Sequence, residues 1–216
     1  MSAFSVQYSK VSDTRNAQLA TFLLSMLVLD AVERLGVDAA GHAGHSLGEY
    51  SALAASGALD FNDAVALVGE RGAAMNAAID ESPGTMAAVL GLEDEQVETA
   101  CNEVGDGAWV ANYNAPRQVV VAGTSEAVAA ASDVARKLGA KKVSPLEVAG
   151  AFHTPLMAPA RERLAGALHA TEIRVPEGIV VANVDATAHH APETWRALML
   201  SLIHISEPTR PRLISY

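Results

Sequence analysis

The sequence predicts an α/β fold, a larger core interrupted by a small β-α-β-β-α-β lobe. Three observations lead there. The chain has 216 residues, 50% hydrophobic and 19% charged, the make-up of a globular protein long enough to bury a core. Residues 85–148 carry strand and helix patterns in the order β-α-β-β-α-β. A glycine-flanked serine, Gly44-His45-Ser46-Leu47-Gly48, stands where a small-residue strand meets a helix.

Taken in order, Asp13 or Thr14 caps a helix that runs to about Leu35 and stops at Gly36. Leu19, Phe22, Leu23, Met26, Leu27 and Leu29 are expected on its buried side. Residues 39–44 form the strand before the serine, and 49–55 a second helix ended by Gly57. Asn62 or Asp63 opens a helix to about Ala78 whose apolar stripe is Ala64, Leu67, Val68 and Met75. In the lobe, residues 85–90 read as a strand and 93–104 as an amphipathic helix. Strands 109–112 and 118–122 are joined through Asn114-Ala115-Pro116-Arg117. A helix over 126–138 ends at Gly139, and 142–148 is the last strand, which gives the order of a ferredoxin-like subdomain. Beyond it, 155–169 is helical, 178–184 strand-like, and 192–200 begins another helix.

Charge narrows the function. Fifteen basic against 25 acidic residues leave a net charge of −10, which disfavours nucleic acid and anionic lipid as partners. The apolar run from Leu19 to Leu29 is too short to span a bilayer, so no membrane partner is expected. No basic segment with a cleavage site opens the chain, so no signal peptide is expected. Cys101 alone can form neither an intramolecular disulfide nor a thiolate zinc site, and a reducing, cytoplasmic setting is expected.

The G-x-S-x-G pattern is a sharp strand-to-helix turn that leaves a serine hydroxyl exposed, with flanking glycines for close backbone approach. The N–H of Leu47, at a helix N-terminus, can stabilise an oxyanion. Serine needs a base. His45 adjoins the serine but points to the other face of a strand, and His42 lies on the incoming strand. His169 sits late in a helix, His189-His190 is a solvated loop pair, and His204 is near the C-terminus. His153, in the loop Gly150-Ala151-Phe152-His153-Thr154-Pro155 at a helix entry, suits general acid–base work. Residue chemistry alone leaves it balanced between a base and an ordinary loop histidine. No metal is expected, because His42 and His45 cannot converge from a strand and no Cys, Asp or Glu cluster accompanies them. No phosphate-binding glycine signature is present.

The segment Gly44-His45-Ser46-Leu47-Gly48-Glu49-Tyr50-Ser51-Ala52-Leu53 resembles the nucleophile segment of malonyl-CoA:acyl-carrier-protein transacylases. Further segments agree in order: Asp13-Thr14-Arg15-Asn16-Ala17-Gln18, Glu70-Arg71-Gly72, Asn112-Tyr113-Asn114-Ala115-Pro116 with Gln118-Val119-Val120-Val121-Ala122-Gly123, Gly150-Ala151-Phe152-His153, and Val181-Ala182-Asn183-Val184. The similarity covers roughly residues 13–200.

The resemblance implies a partial α/β-hydrolase-like core (13–84 and 149–200) around the ferredoxin-like subdomain (85–148). It implies that Ser46 carries a malonyl ester taken from malonyl-CoA and that His153 acts as base, with Leu47 N–H as one oxyanion donor. The phosphopantetheine thiol of acyl carrier protein then takes the malonyl group, in ping-pong acyl transfer without a cofactor. Arg71, read alone a surface helix arginine, would hold the malonate carboxylate bidentately. Phe152 would crowd a 2-methyl group, and Asn112 and Asn114 would line the cleft or shape the hairpin. In the family a main-chain carbonyl from a C-terminal segment orients the histidine. A monomer is expected. Lys137, Lys141 and Lys142 form a basic cluster that could meet an acidic carrier, or simply a solvated turn.

Two departures bear on activity. Residues 1–12 lack the family's Pro-Gly-Gln-Gly-Ser-Gln-like loop, the source of the second oxyanion N–H. From about Leu200 the run Ser201-Leu202-Ile203-His204-Ile205-Ser206-Glu207-Pro208-Thr209-Arg210 resembles the translation of a sequencing-library adapter. Residue usage breaks there too: residues 1–200 are alanine-rich with only Ile79, Ile173 and Ile179, whereas 201–216 have no alanine and hold Ile203, Ile205 and Ile214. The sequence is thus expected to be a piece of a transacylase with a non-native tail over 201–216, and poorly active as written. The alternatives are the acyltransferase module of a polyketide synthase, an α/β-hydrolase esterase, and a non-catalytic carrier-binding remnant.

Overall fold

The computed structural model describes residues 14–148 and 150–203. In chain order the elements are α1 (Thr14–Arg34), β1 (Gly41–Ala43), α2 (Gly48–Ala55), α3 (Phe61–Glu81), β2 (Thr85–Leu90), α4 (Asp94–Val104), β3 (Ala108–Ala115), β4 (Gln118–Gly123), α5 (Ser125–Lys137), β5 (Lys142–Pro145), a 3-10 turn (Pro155–Met157), α6 (Ala158–Ala170), β6 (Ile179–Val181) and α7 (Pro192–Ser201). The chain divides into two compact units. One comprises the described residues up to Asn76 with Ala160–Leu202, the other Ala77–Pro159 with Ile203. The divisions fall inside α3 and α6, whereas the sequence suggested loops near 84 and 149.

In the first unit β1 and β6 pair in parallel, Gly41 opposite Ile179 and Ala43 opposite Val181. α2 packs on β1 and against α1. α3 starts earlier than expected because Asp60 caps it: the Asn62 N–H donates to Asp60 Oδ1 at 2.9 Å. α1 differs more. Of the six apolar residues expected on its buried side only Phe22 is fully buried, stacked on Phe61 at 6.0 Å, while Leu23, Leu24, Leu27 and Val28 are exposed. The periodicity marked a helix correctly, but among the described residues only Gln18 and Phe22 of this helix are buried, with Leu19, Met26 and Leu29 half-buried. α1 is also the one helix among those described long and apolar enough to cross a membrane. The expectation from Leu19–Leu29 counts only the most apolar run, which includes Thr21 and Ser25 and stops before Asp30, whereas the helix extends for 21 residues.

The second unit is built on an antiparallel sheet in the order β3-β4-β2-β5. With its two connecting helices this is the ferredoxin-like arrangement. Each strand face has its own cluster, because side chains alternate. Ala87, Val89, Val119 and Val121 meet Val97, Ala100, Val128 and Ala131 of α4 and α5. Met86, Val120 and Ala122 meet Ala111 and Ala151 on the opposite side. That double burial explains the unbroken apolar run in β4. β3 and β4 are longer than read from sequence, and the turn between them is Pro116-Arg117 alone, with Arg117 in the left-handed region at φ 60°. β5 stops at Pro145 and β6 covers only Ile179–Val181, both shorter than expected.

Candidate active site

β1 ends at Ala43, and the chain then turns through Ser46 into α2. Ser46 has φ 51°, a left-handed conformation that costs a non-glycine residue roughly 1 kcal/mol or more. Gly44 makes the turn possible: a Cβ there would sit 2.0 Å from the carbonyl of Gly48. Gly48 itself has open space where a Cβ would go, so of the two flanking glycines only Gly44 serves close approach. α2 begins directly after Leu47, which places the Leu47 N–H at a helix N-terminus.

Arg71 is fully buried on α3, not on a solvated face as its sequence position read alone suggested. Its Nη2 donates to Ser46 Oγ at 2.9 Å and its Nη1 to Gln18 Oε1 at 2.5 Å. The guanidinium lies 5.7 Å from the Tyr50 ring centre, and its buried Nε has no hydrogen-bond partner among the described residues. Both bonded acceptors are neutral oxygens. Burial pushes the Arg71 pKa below its ordinary value, while Tyr50 and Glu49 oppose that shift.

Three polar residues that sequence reasoning gave no role belong to this constellation. Gln18 was detectable as a polar residue four before Phe22 on the one buried edge of α1. Glu49 is fully buried, and its Oε1 accepts from the Asn183 N–H at 2.9 Å. Burial lifts its carboxyl to about 7, against the Asn183 hydrogen bond and the Arg71 charge. Asn183, just beyond β6, accepts from the Ser46 N–H through Oδ1 at 2.7 Å. Only the quoted motif strings pointed to these two, and neither string says what touches what.

Ser46, Leu47 and Arg71 lie in the first unit; Asn112, Asn114, Phe152 and His153 lie in the second. His153 is 5% exposed with φ 59°, a second left-handed position in a tight loop. That loop is fastened by Thr154 Oγ1 donating to the Ala151 carbonyl at 2.6 Å. Phe152 packs beside Met86, Ala111, Val120 and Ala122. Asn112 sits half-buried at a register shift of β3, and Asn114 is exposed at its end. His189, expected as solvated, instead places Nε2 2.7 Å from Asp185 Oδ2 and its ring edge-on to Trp195. Among the described residues no group of three His, Cys, Asp or Glu is arranged to hold a metal ion. Of the run expected to be foreign, Ser201 ends α7 and Leu202 and Ile203 are buried; its remainder, like residues 1–12 and the Asp13 cap, lies outside the described residues.

Comparison with known proteins completes the picture. The malonyl CoA-acyl carrier protein transacylase of Bacillus subtilis is 46% identical over 176 residues, 80% of this chain and 56% of that protein. The structure superposes on a malonyl-transacylase solved in complex with its type II PKS acyl-carrier protein, with a TM-score of 0.89 and 36% identity over 94% of this chain and 66% of that one. An acyl carrier protein S-malonyltransferase from Vibrio cholerae gives 0.88 and 36%, covering 94% and 67%. The chain thus spans between about half and two thirds of the relatives it matches. A serine on a strained turn, with a buried arginine on its hydroxyl, falls inside the matched region, residues 4–199, and the chain belongs to the acyl transferase domain family.

Proposed function

We propose that the protein to which this sequence belongs moves a malonyl group from malonyl-CoA to the phosphopantetheine thiol of an acyl carrier protein. The observation that carries this reading is the buried guanidinium of Arg71 on Ser46 Oγ. A planar cation beside the nucleophile, bonded among the described residues to neutral oxygens, is matched by an acyl group that brings its own carboxylate. Names of relatives, including one solved with its carrier protein, support the same substrate pair.

In the proposed reaction Ser46 Oγ attacks the thioester carbonyl, its proton passes to His153, and Leu47 N–H steadies the oxyanion. The C–S bond breaks and the CoA thiol leaves with that proton. The carrier thiol then attacks the serine ester, the C–O bond breaks, and Ser46 regains its proton. Phe152 discriminates against a 2-methyl branch. The reaction runs in the cytoplasm, in a monomer, without a cofactor. Whether the carrier serves fatty acid or polyketide synthesis is set by the partner supplied.

Intact-mass measurement of the full-length parent protein after incubation with malonyl-CoA tests this, with the 216-residue chain expected to react more slowly. One malonyl adduct is expected on Ser46, absent in Ser46→Ala, discharged by carrier protein faster than by water. Arg71→Ala is expected to lose malonyl transfer while gaining relative acetyl transfer. An unchanged malonyl preference in that variant would refute the arginine role, and loss of the adduct to water alone would favour an esterase.

A further inference from the structure

The first unit contains a pair of crossed hydrogen bonds that the proposed chemistry does not use. β1 and β6 exchange backbone bonds only as far as Ala43 and Val181. Beyond that point both strands must break away, β1 to make the serine turn and β6 to enter a loop in which Ala182 N–H reaches the Thr187 carbonyl. Backbone donors that leave a ladder need other acceptors, since a buried donor without one costs ~1–3 kcal/mol. Here each strand takes its acceptor from a side chain that follows the other. The Ser46 N–H donates to Asn183 Oδ1 at 2.7 Å, and the Asn183 N–H donates to Glu49 Oε1 at 2.9 Å. Glu49 is fully buried, on the first turn of the helix that Ser46 leads into.

We infer that Glu49 and Asn183 form a clamp that holds the left-handed Ser46 turn, making both of them positioning residues for the nucleophile. The inference rests on Ser46 being the nucleophile. A left-handed non-glycine residue relaxes unless neighbouring bonds over-determine it. The turn's own bonds, Gly48 N–H to the His45 carbonyl at 2.9 Å and Glu49 N–H to the Ser46 carbonyl at 3.2 Å, fix the residues after Ser46. Asn183 fixes its N–H, and Glu49 fixes Asn183. The clamp thus closes a ring from α2 through the end of β6 back to the serine. Among the described residues the buried Glu49 Oε2 has no hydrogen-bond partner, so the carboxyl group acts on the clamp through Oε1.

The test is the rate at which a fluorophosphonate labels Ser46 in the full 216-residue chain, read by intact mass. This probe needs a correctly aimed serine but neither malonyl-CoA nor a carrier. Asn183→Ala and Glu49→Ala are each expected to slow labelling by about 10- to 100-fold at unchanged secondary structure by circular dichroism. Their combination is expected to lose little more than either alone, because one clamp is broken once. Glu49→Gln keeps the accepting oxygen and is expected to recover most of the loss, which general destabilisation would not predict. Should Glu49→Ala fail to fold, Asn183→Ala with Asn183→Asp, which restores the acceptor to Ser46, makes the same comparison. Equal labelling rates in wild type and Asn183→Ala overturn the clamp, as does full additivity in the double variant. A folded wild-type chain that resists the probe at Ser46 overturns the nucleophile assignment, and the clamp with it. Labelling without acylation by malonyl-CoA overturns the proposed substrate and leaves the clamp standing.

Discussion

Replacing Glu49 with Gln is expected to change how stability depends on pH. The Glu49 carboxyl is raised from 4.5 to about 7, first by burial, with Asp185 adding to the rise and the Asn183 N–H, Arg71 and His189 opposing it. The folded chain therefore keeps a proton that the unfolded chain releases above 4.5. Its contribution to stability is fully present below about 4.5 and is lost as pH rises through 7. A rise from 4.5 to about 7, at about 1.36 kcal/mol for each pH unit, amounts to about 3 kcal/mol, most of which falls between pH 5 and pH 8. Because Glu49 is fully buried, solvent screening takes little from this figure. Urea unfolding followed by the fluorescence of Trp195, buried in the same unit, reads it out at both pH values. Titrating groups not coupled to Glu49 affect wild type and Glu49→Gln alike, so the difference between the two pH dependences reports Glu49 together with its coupled neighbours Arg71, Asp185 and His189. Wild type should lose roughly 2–3 kcal/mol more than Glu49→Gln on going from pH 5 to pH 8. Parallel pH dependences in the two chains would refute the reasoning.

Three further outcomes follow from local geometry. Gly44→Ala should prevent native folding, since its Cβ would lie 2.0 Å from the Gly48 backbone, whereas Gly48→Ala, in open space at a helix start, should raise stability by about 0.5–1 kcal/mol; thermal melts of the two variants check the contrast. Cys101, buried with its thiol pushed up to about 12, should resist iodoacetamide at pH 8 until denaturant is added, and rapid alkylation of the folded chain would contradict its burial. The exposed α1 residues Leu24 and Leu27 should promote self-association of this chain, so Leu24→Lys with Leu27→Lys should reduce light scattering at unchanged melting temperature.

The unbroken apolar run within residues 118–123 and the capped helices beside it made the second unit's order readable, because each element's pattern and punctuation are local. The serine turn was readable for the same reason, since a glycine two residues before the serine reports a close approach within five residues of chain. Arg71 was not readable as a buried group: its surroundings on α3 look like those of any helical arginine, and its partners lie 25 and 53 positions away. Asn183 and Glu49 meet across 134 positions, a separation for which no sequence period exists. α1 shows the converse error. Its apolar residues are plentiful, but a hydrophobic pattern states which face wants cover and not whether the described chain supplies it.

The two buried ionisable groups beside Ser46 have opposed effects on one field. Arg71 holds a positive charge bonded to Gln18 and Ser46, both uncharged, and Glu49 is close enough for each to shift the other's titration. With Glu49 protonated, that positive charge is left uncompensated by it and free to attract an acyl carboxylate. With Glu49 ionised, part of the attraction is spent inside the protein, and an acyl group without a carboxylate loses nothing by comparison. In the proposed reaction the preference for malonyl over acetyl should therefore decline as pH rises through about 7, set by the carboxyl of Glu49 and not by malonate, which is ionised throughout. Competition between malonyl-CoA and acetyl-CoA, read as the ratio of the two acyl-serine masses from pH 6 to pH 8.5, measures this. The ratio should fall several-fold in wild type and stay level in Glu49→Gln. A ratio that falls equally in both would assign the pH dependence to another group and remove Glu49 from substrate selection, leaving its hydrogen bond to Asn183 untouched.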